Sequence, residues 1–178
     1  MEQENNSKYV RFGLMIVTSM VVMFGLMYLN TYEVSHVRWS ETRFYMTLIM
    51  GAAMAVIMLS FMLGMYKNTR LNLAIYAISV GVFLSALFLV RTQATVGDTS
   101  WMSAMIPHHS IAILTSERAT INDVRVRELA DDIIEAQRRE IKEMEWLLAD
   151  IRENGIAETE AEASNRPVPE FEGSVNSD

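Results

Sequence analysis

The chain has 178 residues, no cysteine and a formal net charge of −7 at pH 7. The negative charge argues against a nucleic-acid partner, and the lack of cysteine excludes disulfide frameworks, thiolate zinc sites, iron–sulfur clusters and cysteine nucleophiles. Apolar and charged residues are not mixed along the chain, because most acidic and basic residues follow Arg91. This division predicts one part in lipid and one part in water.

Three apolar segments near the N-terminus are each about as long as a helix that crosses the hydrocarbon of a bilayer. They follow a polar N-terminus (1–11) and are residues 12–29, 44–66 and 71–90. The first is long for a signal peptide and no A-x-A-like cleavage site follows it, so an anchor is favoured. The polar link KNTR between the second and third segments is short, so these two should form an antiparallel hairpin. Residues 12–91 are therefore predicted to be an all-helical, three-span domain whose partner is the lipid bilayer.

The orientation of the spans is predicted from the Lys and Arg residues beside them. One side has Lys8, Arg11, Lys67 and Arg70, and the other has Arg38, Arg43 and Arg91. The excess on the first side predicts that the N-terminus lies in the cytoplasm and that the chain after Arg91 lies outside. In a bacterium this would be an inner-membrane protein with a periplasmic C-terminal domain.

Residues 92–155 are predicted to form a soluble helical hairpin. Gly97 breaks the preceding apolar run, and Asp98 or Thr99 then offers an N-cap for the first helix. Pro107 lies inside this helix and is expected to kink it or to mark a restart, because proline lacks the backbone donor.

The second helix of the hairpin is predicted over 124–154, closed by Gly155. Its apolar seam alternates steps of four and three, which is the period of coiled coils and helical bundles. The seam consists of Ala130, Ile134, Gln137, Ile141, Met144, Leu148 and Ile151. The acidic remainder, 156–178, lacks apolar periodicity and is predicted to be disordered.

Two helices alone cannot enclose a core, so the seam of the hairpin needs a partner. A homodimer, in which two hairpins complete a four-helix bundle, is the simplest solution. Packing of the hairpin against the loop between the first two spans is the alternative. His36 in that loop is interpreted as an interfacial residue rather than a ligand.

Five side chains of the hairpin are candidate metal ligands: Met102, Met105, His108, His109 and Met144. The first, second and fourth share one stripe of a helix, and the fifth lies on the partner helix. Thioethers combined with imidazoles suit Cu(I) and Ag(I), whereas magnesium, calcium and manganese prefer oxygen ligands. The alternative is that the methionines fill the core and that one histidine is half-buried while the other is exposed.

The predicted hairpin, 92–155, has no E-x-x-H motif for a di-iron site, and the chain has no H-E-x-x-H motif for a zinc protease and no visible Ser-His-Asp arrangement. We therefore expect no enzyme activity.

The segment MIPHHSIAILTSERA, followed by VRELADDIIEAQRREIKEMEWL, resembles the bacterial family known as domain of unknown function 305. Its members have a Met-x-x-His-His helix and then a helix patterned Leu-Ala-x-x-Ile-Ile-x-x-Gln-x-x-Glu-Ile-x-x-Met. The matching residues here are Met105, His108, His109, Leu129, Ala130, Ile133, Ile134, Gln137, Glu140, Ile141 and Met144. The resemblance covers 98–151 and says nothing direct about the three spans.

The resemblance implies a ferritin-like helical bundle. Some periplasmic members are associated with binding copper or silver and with metal tolerance, so it also implies a soft-metal site. This chain has one hairpin and one His-His pair where longer members have two, which again favours a dimer.

The sequence thus predicts a membrane-anchored periplasmic protein that sequesters Cu(I) or Ag(I), or hands it to a periplasmic metal-handling partner. One alternative is a structural or partner-binding membrane protein without metal. Another is a three-span copper-conducting transporter, because the second span carries a file of methionines and resembles copper-uptake transporters in one Met-x-x-x-Met motif. The file consists of Met46, Met50, Met54, Met58, Met62 and Met65.

Overall fold

The structure is a computed structural model that describes residues 2–174, with side chains described from Asn6 onward. Its secondary structure is helical throughout the described range, with six α-helices and one 3-10 turn. The chain divides into two compact units. The first comprises the residues up to Leu29 together with Glu41–Val96, and the second comprises Asn30–Ser40 together with the chain from Gly97 onward.

The first unit contains three helices: α1 (Glu2–Leu26), α2 (Glu41–Phe61) and α3 (Thr69–Thr92). All three are long and apolar enough to cross a membrane, which confirms the three predicted spans and indicates a membrane protein. Their ends differ from the predicted ones by a few residues, except that α1 starts well before residue 12 because the polar N-terminus continues its helix.

Helix α2 is the centre of the first unit and packs against both α1 and α3. Its contact face is made of small buried residues, among them Gly51, Ala52 and Ala55, which let neighbouring helices approach closely. A Cβ atom at Gly51 would overlap the Sδ of Met20 on α1. The small side chains of α2 therefore set how closely α1 can pack against it.

At one end of this unit, the end of α1 meets the start of α2. The Arg43 guanidinium donates a 2.6 Å hydrogen bond to the carbonyl of Met27 and lies 4.2 Å from the centre of the Tyr28 ring. The Tyr45 hydroxyl lies 2.8 Å from the Thr95 hydroxyl, just beyond α3. The chain therefore leaves the three-helix unit and re-enters it at the same end.

The second unit is built on an antiparallel hairpin of α4 (Asp98–Arg118) and α5 (Val124–Asn154). The bounds of α5 are those predicted: the Asp123 side chain caps its start, and Gly155 ends it with a φ of 79°. The interface between the helices buries the core residues Met102, Ile106, Ile113, Ile134, Ile141 and Met144.

Helix α4 runs through Pro107 without a restart, contrary to one of the two outcomes expected there. The proline ring is fully buried, so its packing in the core offsets the one backbone hydrogen bond that proline cannot donate.

The loop Asn30–Ser40, which includes the 3-10 turn Val34–His36, packs on the hairpin. Tyr32 contacts the apolar core, and its backbone N–H donates a 2.7 Å hydrogen bond to Ser110 Oγ. Arg38 donates to Glu145 on α5 at 2.7 Å. The loop thus covers part of the seam within one chain. Packing of this loop on the hairpin was the alternative to a homodimer, and the homodimer itself stays a prediction.

The acidic segment 156–178 was predicted to be disordered, but its described part, 156–174, contains regular structure. It contains a short helix, α6 (Glu160–Asn165), which begins with a capping box. The Thr159 side chain accepts from the Glu162 backbone, and the Glu162 carboxylate accepts from the Thr159 backbone. Local capping therefore supplies order here without any apolar periodicity.

The segment after α6 follows α5 in the opposite direction. Arg166 donates to the carboxylate of Asp150 at 2.8 Å, and both of these side chains are largely shielded from water. Further along, Gly173 is buried, and a Cβ atom there would overlap the carbonyl oxygen of Glu135. Residues 175–178 lie outside the described range.

Candidate metal site

His109 lies on the face of α4 that packs against α5 and is only 9% exposed. Its Nδ1 is 2.9 Å from the carbonyl oxygen of Met105, one turn earlier on the same helix. Its Nε2 is 2.8 Å from a carboxylate oxygen of Glu140 on α5. Both partners are acceptors, so the ring donates at both nitrogens only when it carries a positive charge. This contact is the polar centre of the hairpin interface.

Three methionines lie along the same interface. Met102 and Met144 are 4% and 6% exposed and belong to one buried apolar cluster, and Met105 packs against it. The two helices are antiparallel, so moving back along α4 and moving forward along α5 lead in the same direction. Met105, four residues before His109, and Met144, four residues after Glu140, therefore lie on the same side of the His109–Glu140 contact. The backbone positions of both methionines lie about 6 Å, or four residues, along the interface from this contact.

His108 has a different environment from its neighbour. Its side chain is exposed, and its ring centre is 6.1 Å from that of His109 with the planes inclined at 73°. One step along a helix rotates a side chain by about 100°, so adjacent histidines cannot both face α5. The structure thus brings four of the five predicted ligands to one interface and leaves His108 at the surface.

Within residues 6–174, no group of three or more His, Asp or Glu side chains is arranged to hold a metal ion. His109 and Glu140 form a pair without a third such partner. A metal at this interface would therefore take its remaining ligands from the thioethers, and sulfur ligands select soft ions.

The sequence did not reveal a second polar cluster beside this interface. Ser110, the residue after His109, is fully buried, and its Oγ accepts from the Tyr32 backbone and lies 2.9 Å from His36 Nδ1. His36 itself is 8% exposed and its Nε2 lies 3.9 Å from Glu33, so its ring is buried within this cluster, and its interpretation as an interfacial loop residue rather than a ligand stays a prediction. No pattern could have paired these residues, because 74 positions separate His36 from Ser110.

Three helices fit to cross a membrane, joined to a helical hairpin with a Met- and His-containing interface, define an α-helical membrane protein with a hydrophilic helical unit. The sequence profile of the family described as "Domain of unknown function (DUF305)" matches residues 90–173. The chain belongs to this family, which confirms the resemblance noted from its motifs.

A viral relative is similar over more of the chain. "Uncharacterized protein L153" of Acanthamoeba polyphaga mimivirus is 33% identical over 148 residues, which are 81% of this chain and 93% of that protein. The matched length exceeds the stretch 97–178, so the similarity includes part of the three-helix unit. No solved structure matches the chain.

Proposed function

We propose that the α4–α5 hairpin binds Cu(I) or Ag(I), and that the protein sequesters the ion or hands it to a metal-handling partner. The observation that carries the proposal is that His109 and Met144 are buried in a single interface with Met105 packed against its core, each methionine four residues from one partner of the His109–Glu140 contact. In the proposed setting the membrane is a bacterial inner membrane and the hairpin lies in the periplasm.

The hydrogen bonds of His109 support this role. An imidazole that binds a metal through one nitrogen usually donates its other N–H to a carbonyl or carboxylate, which fixes the ring. Here Nδ1 meets the Met105 carbonyl, so Nε2 is the nitrogen left to bind an ion. Binding would replace the Nε2 proton and the contact with Glu140, exchanging a hard oxygen partner for a soft ion held by nitrogen and sulfur.

The remaining two predicted ligands take different roles in the proposal. Met102, one turn further from His109 on α4, extends the row of thioethers within the core. His108 is exposed, so it is the imidazole that an ion arriving from water or from a donor protein meets first.

The test is a titration of the full chain in detergent with Ag(I), and with Cu(I) against a chromogenic Cu(I) chelator. The full chain is used because the loop Asn30–Ser40 packs on the hairpin. We expect one equivalent to bind, and the double change Met105→Leu and Met144→Leu, which preserves volume, to weaken binding at least about tenfold. Met15→Leu, which removes an exposed thioether from α1, is the matched control. Absence of stoichiometric uptake, or equal uptake by the double variant, contradicts the proposal.

A structural role is the second candidate, and the completed hydrogen bonds of His109 favour it. In that role, Met102 and Met144 are core residues and the His109–Glu140 contact joins the two helices. The two functions differ in one measurement: an ion bound by the folded hairpin raises its melting temperature, whereas a purely structural interface gives no such shift. The same Ag(I) samples provide this readout.

The transporter alternative concerns α2. Met54, Met58 and Met62 pack against the apolar core of the three-helix unit, which is also what core-filling side chains do. Metal flux into vesicles that contain the intact protein, lost on Met54→Leu, would favour conduction over packing.

A homodimer remains part of the proposal. Val126 and Leu129 near the start of α5 are 48% and 59% exposed, so they offer a second copy an apolar contact. Light scattering on the detergent-solubilised protein, with Leu129→Ser as the variant, tests this point.

A further inference from the structure

At the end of the three-helix unit where α2 turns into α3, an open cavity of about 490 Å³ is lined by the link between these helices and the first two turns of α3. Two leucines give it apolar walls, and two tyrosines, a lysine, a threonine and an asparagine add polar groups. The lining residues are Leu63, Tyr66, Lys67, Thr69, Asn72, Leu73 and Tyr76. Its volume is in the range of small-ligand sites, and its mixed walls suit a molecule with one charged and one apolar part.

The floor of this cavity is held rigidly. Tyr66 is 5% exposed, and its ring meets the edge or face of Tyr9 and Phe12 with centroid distances of 5.0 and 5.4 Å. Asn72 donates to the Tyr66 carbonyl at 2.7 Å and accepts from the Tyr9 hydroxyl at 2.7 Å. These contacts join α1, α3 and the link between α2 and α3, so the cavity is a fixed feature of the unit rather than a gap between loose helices.

Positive charge is concentrated around the cavity. Lys67 lines it, and Arg70, the second residue of α3, follows the lining residue Thr69. Within 6–174, Lys67 and Arg70 make no ion pair with an acidic side chain, and the stretch from Phe61 to Tyr76 contains no Asp or Glu.

Two backbone amides at the start of α3 are already hydrogen-bonded and do not donate to an anion. The side chain of Asn68 already accepts from the amides of Arg70 and Leu71, which are at the start of α3. Lys67 and Thr69 line the cavity, and their side chains are donors that can bind an anion there.

We propose that this cavity binds the headgroup of an anionic phospholipid. Its phosphate would be recognised by Lys67 and Thr69 in the field of Arg70, and its acyl chains would follow the apolar side chains of Leu63 and Leu73. A lipid is favoured over a free phosphate because the cavity belongs to helices built to cross a bilayer and has apolar walls as well as cations. Basic pockets at the ends of membrane helices are a recurrent way of holding such headgroups. This inference is independent of metal binding by the hairpin.

The experiment is native mass spectrometry of the full chain, released from detergent with equal amounts of phosphatidylglycerol and phosphatidylcholine. We expect one retained phosphatidylglycerol in clear preference to phosphatidylcholine. Lys67→Gln should weaken its retention about fivefold, since a cation near an anionic lipid contributes about that factor. Arg91→Gln, which removes an exposed cation from the other end of α3, is the matched control and should leave retention unchanged.

A second variant and a competitor complete the test. Leu73→Trp keeps the charge but fills part of the cavity, so it should also reduce retention; circular dichroism shows whether each variant is folded. Glycerol phosphate should compete weakly, because it lacks acyl chains. Equal retention of the two lipids, equal losses in Lys67→Gln and Arg91→Gln, no effect of Leu73→Trp, or full displacement by glycerol phosphate would each overturn the proposal.

Discussion

Replacing Ser110 by alanine should release the loop Asn30–Ser40 from the hairpin. The Ser110 hydroxyl is fully buried, accepts from the Tyr32 amide at 2.7 Å and lies 2.9 Å from His36 Nδ1. Alanine removes this partner from the buried His36 Nδ1 and from the part-buried Tyr32 amide, and one unsatisfied buried polar group costs about 1–3 kcal/mol. The substitution removes a single oxygen, so it leaves almost no cavity. The loss should therefore fall on the loop rather than on the α4–α5 interface.

The assay is hydrogen–deuterium exchange of the detergent-solubilised chain, followed in peptides from the loop. A loss of about 1–3 kcal/mol corresponds to exchange about 5- to 150-fold faster when the amides exchange through local opening. Peptides from the middle of α5 should be unchanged. Ser103→Ala is the control, because Ser103 is on the same helix, is only partly buried and makes no side-chain hydrogen bond within the described residues. If Tyr32 and its neighbours exchange at the wild-type rate in Ser110→Ala, the hydroxyl does not hold the loop and the reasoning is refuted.

Three further predictions follow from the packing and charges. Ile113→Ala should lower the free energy of unfolding by about 2–5 kcal/mol because this side chain is 1% exposed. Ile156→Ala, at 56% exposure, should change it little, and thermal unfolding in detergent compares the two. Gly51→Leu should lower the melting temperature by pushing Met20 and α1 away from α2, whereas Gly81→Leu, where a Cβ meets nothing within 4 Å, should not. Side-chain hydrogen bonds from Arg125 lower the pKa of Asp123, so this carboxylate stabilises the start of α5 above its ordinary pKa and loses that effect as the pH falls through the lowered value. The gap in melting temperature between wild type and Asp123→Ala should therefore be present at about pH 6 and narrow towards about pH 2, and a gap that widens in acid would contradict this assignment.

The sequence was sufficient wherever the signal was local and periodic. The seam of α5 and its capping residues predicted Val124–Asn154, and the burial of Ala130, Ile134, Ile141 and Met144 confirms which face of the helix packs. The apolar lengths predicted the three spans for the same reason. The stripe that groups Met102, Met105 and His109 also followed from helical spacing, and the structure brings these residues to one interface.

The contacts that sequence reasoning missed join distant residues through polar groups. Arg38 and Glu145 are 107 positions apart, and neither lies in an apolar pattern that would pair them. The order of the acidic tail was missed for a related reason, because Arg166 and Asp150 stabilise it by one shielded ion pair instead of a repeated hydrophobic face. Composition gives the apolar content and the net charge of a segment, but it does not show which acidic and basic side chains form ion pairs.

The second unit is assembled from two stretches of chain that flank the second and third membrane helices. Tyr32 and His36 are synthesised before those helices, and Ser110 only after them, so the unit cannot close until both helices have been inserted. An insertion error that left one of them out would put the loop and the hairpin on opposite faces of the bilayer, where the serine hydroxyl could never meet its partners. The second unit can therefore fold completely only in a chain with the correct membrane topology. In a chain with the wrong topology, the apolar seam of the hairpin would stay exposed to the proteases and chaperones of its compartment.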